Sequence, residues 1–351
     1  MTEFPTSPET LTAEFLAEVL DLQVSDVRCE EIGAGLVGDS MRIHLTYADN
    51  GSGPVTIAGK FPAADETSRA TAASLGLYAK EVGFYRNVAH KIATRTPRVH
   101  FAEVTENPGD FLLLMEDCGP AEQGDQLAGC SLEQAQVGLR ELAGLHGPTF
   151  GRGELLTLPF LQVNEAAKAF VAASYAEASA KFCEFYDGKL EPELLSLVGK
   201  VGERSASLFT EPTPTGPCVI HGDFRLDNVL FSILGGAEPM VTLDWQTVAL
   251  GDPLIDLGYF MGAGISPDLR QANEDALLEL YGAEYAEQGG PELDRAAMAS
   301  GYARGALHGI TTAVFSAAFV EHNERSEAIF HSMARGAAIL AHDCNALDLL
   351  E

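Results

Sequence analysis

Two polar motifs constrain this chain more than any other feature of its sequence: HGDFRLDN at residues 221–228 and LDWQ at residues 243–246. Between them lie two short apolar runs, which the turn-forming stretch GGAEP separates. Because glycine and proline punctuate turns and short apolar runs are typical of strands, the segment is predicted to form a β-hairpin. In a hairpin centred on that turn, Val229 lies roughly opposite Asp244, and Asn228 lies beside Val229.

The predicted hairpin brings two oxygen-bearing side chains together at its open end. A hard cation such as Mg²⁺ takes one or two protein oxygens together with substrate phosphates, and Asn228 and Asp244 suit that role. Asp223 is then placed to accept the proton of an attacking hydroxyl in a magnesium-dependent phosphoryl transfer. The alternative is that HGD and LDW are merely polar turn residues.

A glycine-rich stretch, GAGLVGDS at residues 33–40, is a candidate phosphate-binding loop. Its Gly33, Gly35 and Gly38 form the pattern GxGxxG, which opens a helix in a dinucleotide-binding fold. Here MRIHLTY follows instead, and its apolar residues alternate with the period of a strand. We therefore expect the glycines and Ser40 to connect two strands and to fold over ATP phosphates. A plain glycine-rich hairpin turn is the alternative, and a nicotinamide-dependent oxidoreductase is supported by GxGxxG alone.

Lys60 is the only basic residue of the strand-like run VTIAGKF. The segment from Arg69 to Ile92 is predicted to be helical, with Glu81 on an otherwise apolar stripe. A carboxylate on such a face is costly to bury unless it is paired. We predict that Glu81 pairs with Lys60 and that Lys60 touches the α and β phosphates of ATP. The alternative is that Glu81 reaches water at the edge of the helix.

HGDxxxxN with its downstream Asp resembles the aminoglycoside phosphotransferase and choline kinase superfamily. Within it, LDWQ, LLLMEDCG and LLELYGAEY more closely resemble the ecdysteroid-kinase-like, or CHK kinase-like, branch. The resemblance implies an α+β, bilobal protein-kinase-like fold, with an antiparallel sheet plus a helix in the N-lobe and a mainly helical C-lobe that carries a catalytic hairpin. It also implies an enzyme that uses ATP and Mg²⁺ to phosphorylate a hydroxyl of a small molecule.

The lobes are expected to be residues 1–119 and 120–351. The resemblance implies that a connector after the buried strand FLLLM binds adenine through main-chain groups, here those of Glu116 and Cys118. It also implies that the helical region 266–351 helps to form the acceptor pocket, although no residue there identifies the acceptor. An aminoglycoside, an amino alcohol and a steroid-like alcohol stay open, as does a catalytically silent, ATP-binding scaffold.

Three further polar residues are predicted to be structural. Asp252 precedes Pro253, an arrangement that suits a helix N-cap with proline at the first helical position. Asp256 then points inward and braces the loop around His221. A lone histidine on an apolar helical stripe favours a core residue over a catalytic one, and His146 fits that description.

The formal net charge of −29 argues against nucleic acid as a partner, because that binding depends on Lys and Arg meeting phosphates. An acidic surface either steers a cationic substrate or only keeps the protein soluble. The six cysteines form no CxxC pair, so we expect reduced thiols and a cytoplasmic location. MTEFPTSPET lacks the apolar core of a signal peptide. The run Ile310 to Val320 is too short to span a membrane and is expected to lie in a buried helix.

Overall fold

A computed structural model of the protein describes residues 4–33, 38–48, 51–105, 109–162, 165–208, 215–319 and 323–350. Its strands are β1 (Val24–Glu31), β2 (Gly38–Tyr47), β3 (Thr56–Pro62), β4 (Val99–Val104), β5 (Phe111–Glu116), β6 (Glu122–Gln123), β7 (Cys218–Ile220), β8 (Val229–Ser232), β9 (Glu238–Thr242) and β10 (Ala249–Gly251). Its helices are α1 (Ala13–Leu20), α2 (Glu66–Ser74), α3 (Leu77–Asn87), α4 (Leu132–Thr149), α5 (Gly153–Leu156), α6 (Glu165–Phe185), α7 (Pro192–Leu208), α8 (Ile233–Gly236), α9 (Pro253–Tyr259), α10 (Pro267–Glu287), α11 (Arg295–Phe319) and α12 (Glu324–Asp343).

The N-terminal part is a five-stranded antiparallel sheet in the order β1-β2-β3-β5-β4. Successive residues of a strand point to opposite faces. In β5, Leu112 and Leu114 therefore pack into the cluster that α1 covers, while Leu113 and Met115 pack into the cluster that contains α3. The sheet is thus covered on both faces, and α3 lies between the sheet and the C-terminal part.

The C-terminal part is mainly helical around one large apolar core. As predicted, α9 begins at Asp252, which accepts a hydrogen bond from the Leu254 amide and is followed by Pro253. Ile310 and Val314 of α11 are fully buried, so the run lies in a buried helix as expected up to Phe319, whereas Val320 lies outside the described residues. None of the helices in the described ranges combines the length and apolarity needed to span a bilayer.

These features confirm the predicted fold class, with an antiparallel N-terminal sheet and a mainly helical C-terminal part. The division into two lobes at residues 119 and 120 stays a prediction. At that position the peptide bond between Gly119 and Pro120 is cis. The connector after β5 is held on both sides: Asp117 accepts from Arg42 Nε of β2 at 2.6 Å, and the Pro120 carbonyl accepts from the Gly235 amide at 2.8 Å.

The hairpin after HGDFRLDN forms, but its predicted register is wrong by two residues. Val229 pairs with Thr242 and not with Asp244. The turn begins earlier than GGAEP, because Ser232 and Leu234 already adopt left-handed backbone conformations. The second strand of the hairpin, β9, therefore ends at Thr242, and Asp244 lies beyond it. The Asn228 carbonyl accepts a hydrogen bond from the Leu243 amide at 2.9 Å, so the two predicted metal ligands still lie at the same end.

Helices α9 and α11 pack closely because each has a glycine at the contact. A Cβ atom added to Gly305 of α11 would lie 2.5 Å from the Gly258 Cα and 2.6 Å from the Leu254 carbonyl oxygen. Both atoms belong to the backbone of α9, which cannot move without shifting the helix. This contact matters for the site because α9 carries Asp256 and Tyr259.

Replacing Gly305 by alanine is therefore expected to lower the free energy of unfolding by about 1–3 kcal/mol, as overpacked cores do. Chemical denaturation of wild type and Gly305→Ala measures the difference. The control is Gly282→Ala in α10, where the nearest atom to a new Cβ is the Met298 methyl at 3.5 Å. There alanine is expected to be neutral or stabilising by up to about 1 kcal/mol, because it favours the helix. Equal stabilities of the two variants would contradict the close packing.

Candidate active site

Asp223 is the centre of a small hydrogen-bond network at the start of the hairpin. The Tyr259 hydroxyl donates to its Oδ1 at 2.5 Å. Asn228 Nδ2 donates to Oδ2 at 3.0 Å, and Arg225 Nε does so at 3.3 Å. The two oxygens of a carboxylate offer about four lone pairs, so three donors orient it and leave capacity for a further hydroxyl. The Asp223 carboxylate is thus held in one orientation, which suits the predicted role of proton acceptor, and that role stays a prediction.

Asn228 is oriented by the same network. Its Nδ2 donates both to the Asp223 main-chain carbonyl at 2.8 Å and to the Asp223 carboxylate. Both bonds use the amide nitrogen, and within the described residues Oδ1 has no hydrogen-bond partner. The side chain therefore presents an oxygen, which is the ligand type that Mg²⁺ prefers.

Lys60 joins Glu81 and Asp244 into one charged cluster, and the predicted pair of Lys60 with Glu81 is present. The ammonium lies 2.8 Å from Glu81 Oε2 and 3.2 Å from Asp244 Oδ1. The alternative in which Glu81 reaches water is excluded, since Glu81 is buried. The Asp244 backbone is left-handed, with φ of 59°. Such a conformation costs a non-glycine residue about 1–3 kcal/mol and is typical of functional sites.

The opposite charges in this cluster stabilise one another. Burial alone would lower the pKa of Lys60, but Asp244 and Glu81 outweigh it and raise that pKa to about 12. The Asp244 side chain is 42% exposed, so its partial burial raises the pKa only weakly, and the charge of Lys60 outweighs that effect and lowers the pKa of this carboxyl. Burial raises the pKa of Glu81, and Lys60 opposes the rise. At neutral pH the site therefore contains a charged ammonium and an ionised Asp244.

The rest of the LDWQ motif fixes α3 against this cluster. Trp245 stacks on Phe84 of α3, with ring centroids 3.7 Å apart and planes at 7°. Gln246 Nε2 donates to Glu81 Oε2 at 3.2 Å. Asp244, Trp245 and Gln246 thus contact Lys60, α3 and Glu81, respectively. Together these contacts keep Lys60 next to Glu81.

The glycine stretch is followed by a strand and not by a helix, as predicted, but Gly38 and Ser40 already belong to β2 and pair with β3, so they are not part of the connection between the strands. Gly33 has a positive φ of 78°. A Cβ atom at Gly38 would lie 2.9 Å from the Phe61 carbonyl oxygen, so only glycine fits beside β3. Ser40 pairs with Lys60 across β2 and β3. Gly35 lies outside the described residues, and the contact of this stretch with phosphates stays a prediction.

The two connector residues differ in what their main chains offer. The Glu116 amide donates to the Arg98 carbonyl at 2.8 Å, and the Glu116 side chain pairs with Arg95 at 3.0 Å. The Cys118 carbonyl accepts from the Leu234 amide at 3.0 Å. The Cys118 amide has no hydrogen-bond partner in the part of the chain that the structure describes. It is therefore the group best suited to the predicted contact with adenine, which stays a prediction for both residues.

Asp256 braces the loop around His221, as predicted. It accepts hydrogen bonds from the main-chain amides of His221 at 2.6 Å and Gly222 at 2.9 Å. His146 lies 3.2 Å from the same carboxylate and 2.9 Å from the Tyr281 hydroxyl, so it is a satisfied core histidine. Burial would raise the pKa of Asp256, but its hydrogen bond with His146 and nearby charges lower it. The loop is thus anchored by a buried, ionised carboxylate.

Three residues of the site were not predicted from the sequence. Tyr259 follows the inward-pointing Asp256 by three residues, which places both on one face of α9, and this spacing was the available signal. Arg225 lies within the motif itself, and its Nη1 also holds Asp227 at 2.5 Å. Burial lowers the pKa of Arg225, but the charge of Asp223 outweighs it and raises that pKa. Nothing in the spacing of Gln246 indicated its contact with Glu81.

Solved phosphotransferase structures share this fold. A putative aminoglycoside phosphotransferase of Ralstonia eutropha JMP134 is 16% identical, with 94% of this chain and 98% of that one covered and a TM-score of 0.51. The GDP complex of aminoglycoside 2'-phosphotransferase-IIIa is 15% identical, with 93% and 96% covered and a TM-score of 0.54. Choline kinase of Cryptosporidium parvum Iowa II is 11% identical, with 92% of each chain covered and a TM-score of 0.55.

These structures define the class: the protein has the fold of the kinase-like phosphotransferases. The model of the ecdysteroid kinase-like family matches residues 33–288, which include both polar motifs. Because the match covers more than half of the chain, the protein belongs to the ecdysteroid kinase-like family. A stretch of 41 residues is also 49% identical to mouse acyl-CoA dehydrogenase family member 10. That stretch is 12% of this chain and 4% of the mouse protein, so it says little about the whole chain.

The cluster predicts how Lys60 titrates. Glu81→Gln removes one of the two carboxylates that raise its pKa, so Lys60 is expected to titrate below the wild-type value of about 12. NMR titration of the lysine side chains measures the shift, and Glu30→Gln on exposed β1 is the control. Because the folded pKa exceeds 10.5, the stabilisation from Lys60 is complete below pH 10.5 and is lost as the pH rises through 12. Unchanged titration in Glu81→Gln would show that the pair is not electrostatically coupled.

Proposed function

We propose that this protein is a small-molecule kinase, which transfers the γ-phosphoryl group of ATP to a hydroxyl with the help of Mg²⁺. The observation that carries the proposal is the convergence of Asp223 and Asn228 with the cluster of Lys60, Glu81 and Asp244. A base, two oxygen ligands and a phosphate-binding lysine are the parts that such a transfer needs. The family and the fold support the same reading.

Each residue has a distinct role in the proposed reaction. Lys60 holds the α and β phosphates, and Glu81 with Gln246 keeps the lysine in place. Asp223 accepts the proton of the acceptor hydroxyl while the hydroxyl oxygen forms a bond to the γ phosphorus. At the same time the bond between the γ phosphorus and the β–γ bridging oxygen breaks. Arg225 and Tyr259 hold the Asp223 carboxylate in orientation.

The residues present suit a magnesium ion. Asn228 presents its amide oxygen and Asp244 an ionised carboxylate, and Mg²⁺ is typically bound by one or two protein groups plus phosphates. When bound, Mg²⁺ would neutralise the charge of the phosphates during transfer. Among the described residues no group of three His, Cys, Asp or Glu side chains forms a metal cluster, which fits a site that depends on the nucleotide for its remaining ligands.

The cysteines and the net charge of the chain bear on its location and its partners. All six cysteines are free, which suits a reducing compartment such as the cytoplasm. The net charge of −29 disfavours nucleic acid as a partner. We therefore propose a cytoplasmic enzyme whose partners are a nucleotide and a small hydroxylated molecule. An aminoglycoside or amino-alcohol acceptor is the alternative that the names of the structural relatives suggest.

Asp223→Asn is expected to lower ADP release in the presence of a productive acceptor by at least about 100-fold, the usual loss of a general base. Thermal shift by ATP or GTP with Mg²⁺ is expected to persist, because Asp223 orients the acceptor. Asp268→Asn, on the exposed start of α10, is the matched control. Retained turnover in Asp223→Asn would remove Asp223 from the chemistry. Nucleotide binding by wild type without ADP release across a broad panel of alcohols would favour the silent scaffold.

Tyr259→Phe is expected to lower kcat about tenfold or more, because a hydrogen bond to a charged group contributes about 1.5–3 kcal/mol. The KM for ATP is expected to stay near the wild-type value, since Tyr259 contacts Asp223 and not the Lys60 cluster. Tyr302→Phe is the control, because the Tyr302 hydroxyl donates to Glu274 outside the site at 2.8 Å. Steady-state kinetics separate kcat from KM, and an equal loss in both variants would argue against a specific role.

A further inference from the structure

A single arginine, Arg95, lies where four elements of the molecule meet. It belongs to the loop between α3 and β4 in the N-terminal part. Its amide donates a hydrogen bond to Glu141 Oε2 of α4 at 2.6 Å, and its carbonyl accepts one from the Thr242 amide at the end of β9 at 2.9 Å. The main chain of this loop is thus attached to two elements of the C-terminal part.

The loop lies directly against α4 because α4 has a glycine at the contact. The Ala93 amide donates to the Gly144 carbonyl at 2.9 Å, and Thr94 Oγ1 donates to the Glu141 carbonyl at 2.8 Å. A Cβ atom added to Gly144 would lie 3.0 Å from the Thr94 nitrogen. Because backbone meets backbone here, the loop has little freedom to shift, and Arg95 starts from a fixed position.

The Arg95 side chain bridges two carboxylates from different parts of the molecule. Its Nη1 lies 3.0 Å from Glu116 Oε2 at the end of β5, and its Nε lies 2.6 Å from Glu238 Oε2 at the start of β9. Its Nη2 donates to the second oxygen of each carboxylate, at 3.2 and 3.4 Å. Both pairs are therefore bidentate, a geometry that needs the planar guanidinium of arginine. We call Arg95, Glu116 and Glu238 the arginine clamp.

Opposite charges hold the arginine clamp together. Hydrogen bonds with Glu238 and with Glu116 outweigh burial and raise the pKa of Arg95. Burial would raise the pKa of Glu116, but its hydrogen bond with Arg95 outweighs that effect, so the pKa of this carboxyl is lowered. Without the guanidinium, two carboxylates on β5 and β9 would face each other, and like charges repel. The clamp therefore keeps these two strand ends together.

The arginine clamp lies between two places that a bound nucleotide would occupy. Glu116 is two residues before Cys118, whose amide is the predicted partner of adenine. Thr242 is two residues before Asp244, a proposed ligand of the metal that binds the phosphates. Arg95 holds Glu116 through its side chain and Thr242 through its carbonyl. One residue thus fixes the segment for the base relative to the segment for the phosphates.

Resting on the proposed kinase function, we propose that Arg95 is a positioning residue, which holds the site of the base and the site of the triphosphate at the separation that ATP requires. In this role Arg95 contacts neither part of the nucleotide. Two halves of one ligand add their affinities only when their sites have the spacing that the ligand's own bonds impose. The arginine clamp therefore contributes to the affinity for the whole nucleotide, and not to the affinity for either half alone.

Binding of ATP and of its two halves tests this role. Calorimetry measures the Kd of ATP, adenosine and tripolyphosphate, each with Mg²⁺, for wild type and Arg95→Met. The variant is expected to bind ATP about tenfold more weakly, while its affinities for adenosine and tripolyphosphate stay within about twofold of wild type. Equal losses for all three ligands would show that Arg95 only stabilises the fold. Undiminished affinity for ATP would overturn the positioning role.

Glu238→Ala opens the arginine clamp on one side only, and Glu103→Ala is its matched control. The Glu238 side chain is 39% exposed and pairs with Arg95 at 2.6 Å. The Glu103 side chain is 38% exposed and pairs with Arg86 at 2.9 Å, outside the clamp. Each variant therefore loses one negative charge and one ion pair.

Glu238→Ala is expected to weaken binding of ATP about threefold, the usual scale of a partly exposed ion pair. Its affinities for adenosine and tripolyphosphate are expected to match those of wild type, and Glu103→Ala is expected to change none of the three. An equal effect of the two variants on ATP would reflect net charge alone and would contradict the positioning role.

The same measurements separate the positioning role from the kinase function. If wild type binds neither ATP nor tripolyphosphate, the kinase function fails and the role of Arg95 fails with it. If wild type and Arg95→Met bind ATP equally well, only the role of Arg95 fails. If nucleotide binds but no alcohol elicits ADP release, the transfer step alone fails, and a selective loss of ATP affinity in Arg95→Met still supports the arginine clamp.

Discussion

The contacts of Lys60 with Glu81 and Asp244 are the interaction on which the site depends. They join β3 and the nearby α3 to the segment after the hairpin, where Asp244 lies 184 residues beyond Lys60 in the chain. A buried ammonium is tolerable only where carboxylates compensate for its lost hydration, and the reverse holds for the carboxylates. The three regions are therefore mutually dependent, and Gln246 and the stacked Trp245 keep α3 in place for this contact.

The elements of this architecture could be predicted from the sequence where their formation depends on local residue patterns. The alternation after Gly38 and the proline after Asp252 are local signals, and β2 and α9 follow them. The helix predicted from Arg69 to Ile92 is instead divided into α2 and α3, where Gly76 adopts a left-handed conformation, and α3 ends at Asn87. The hairpin register was wrong because left-handed residues at Ser232 and Leu234 moved the turn. Serine and leucine rarely adopt a left-handed conformation, so nothing in the sequence indicated that Ser232 and Leu234 would do so.

The candidate site was predictable in its charged core and not in its surroundings. Lys60 with Glu81 could be inferred because burying one charge requires another. Gln246 contacts Glu81 from the segment after the hairpin, and only the tertiary packing reveals that partner, whereas the three-residue spacing from Asp256 was a usable signal for Tyr259.

Trp245 is the chain's single tryptophan, and it lies between α3 and the loop around His221. Its ring stacks on Phe84 and lies 4.7 Å from the His221 ring between centroids. The tryptophan emission of the protein therefore arises where the N-terminal and C-terminal parts of the molecule meet. Any displacement of α3 from the loop changes the environment of that one fluorophore, so the molecule carries its own optical reporter of an assembled site.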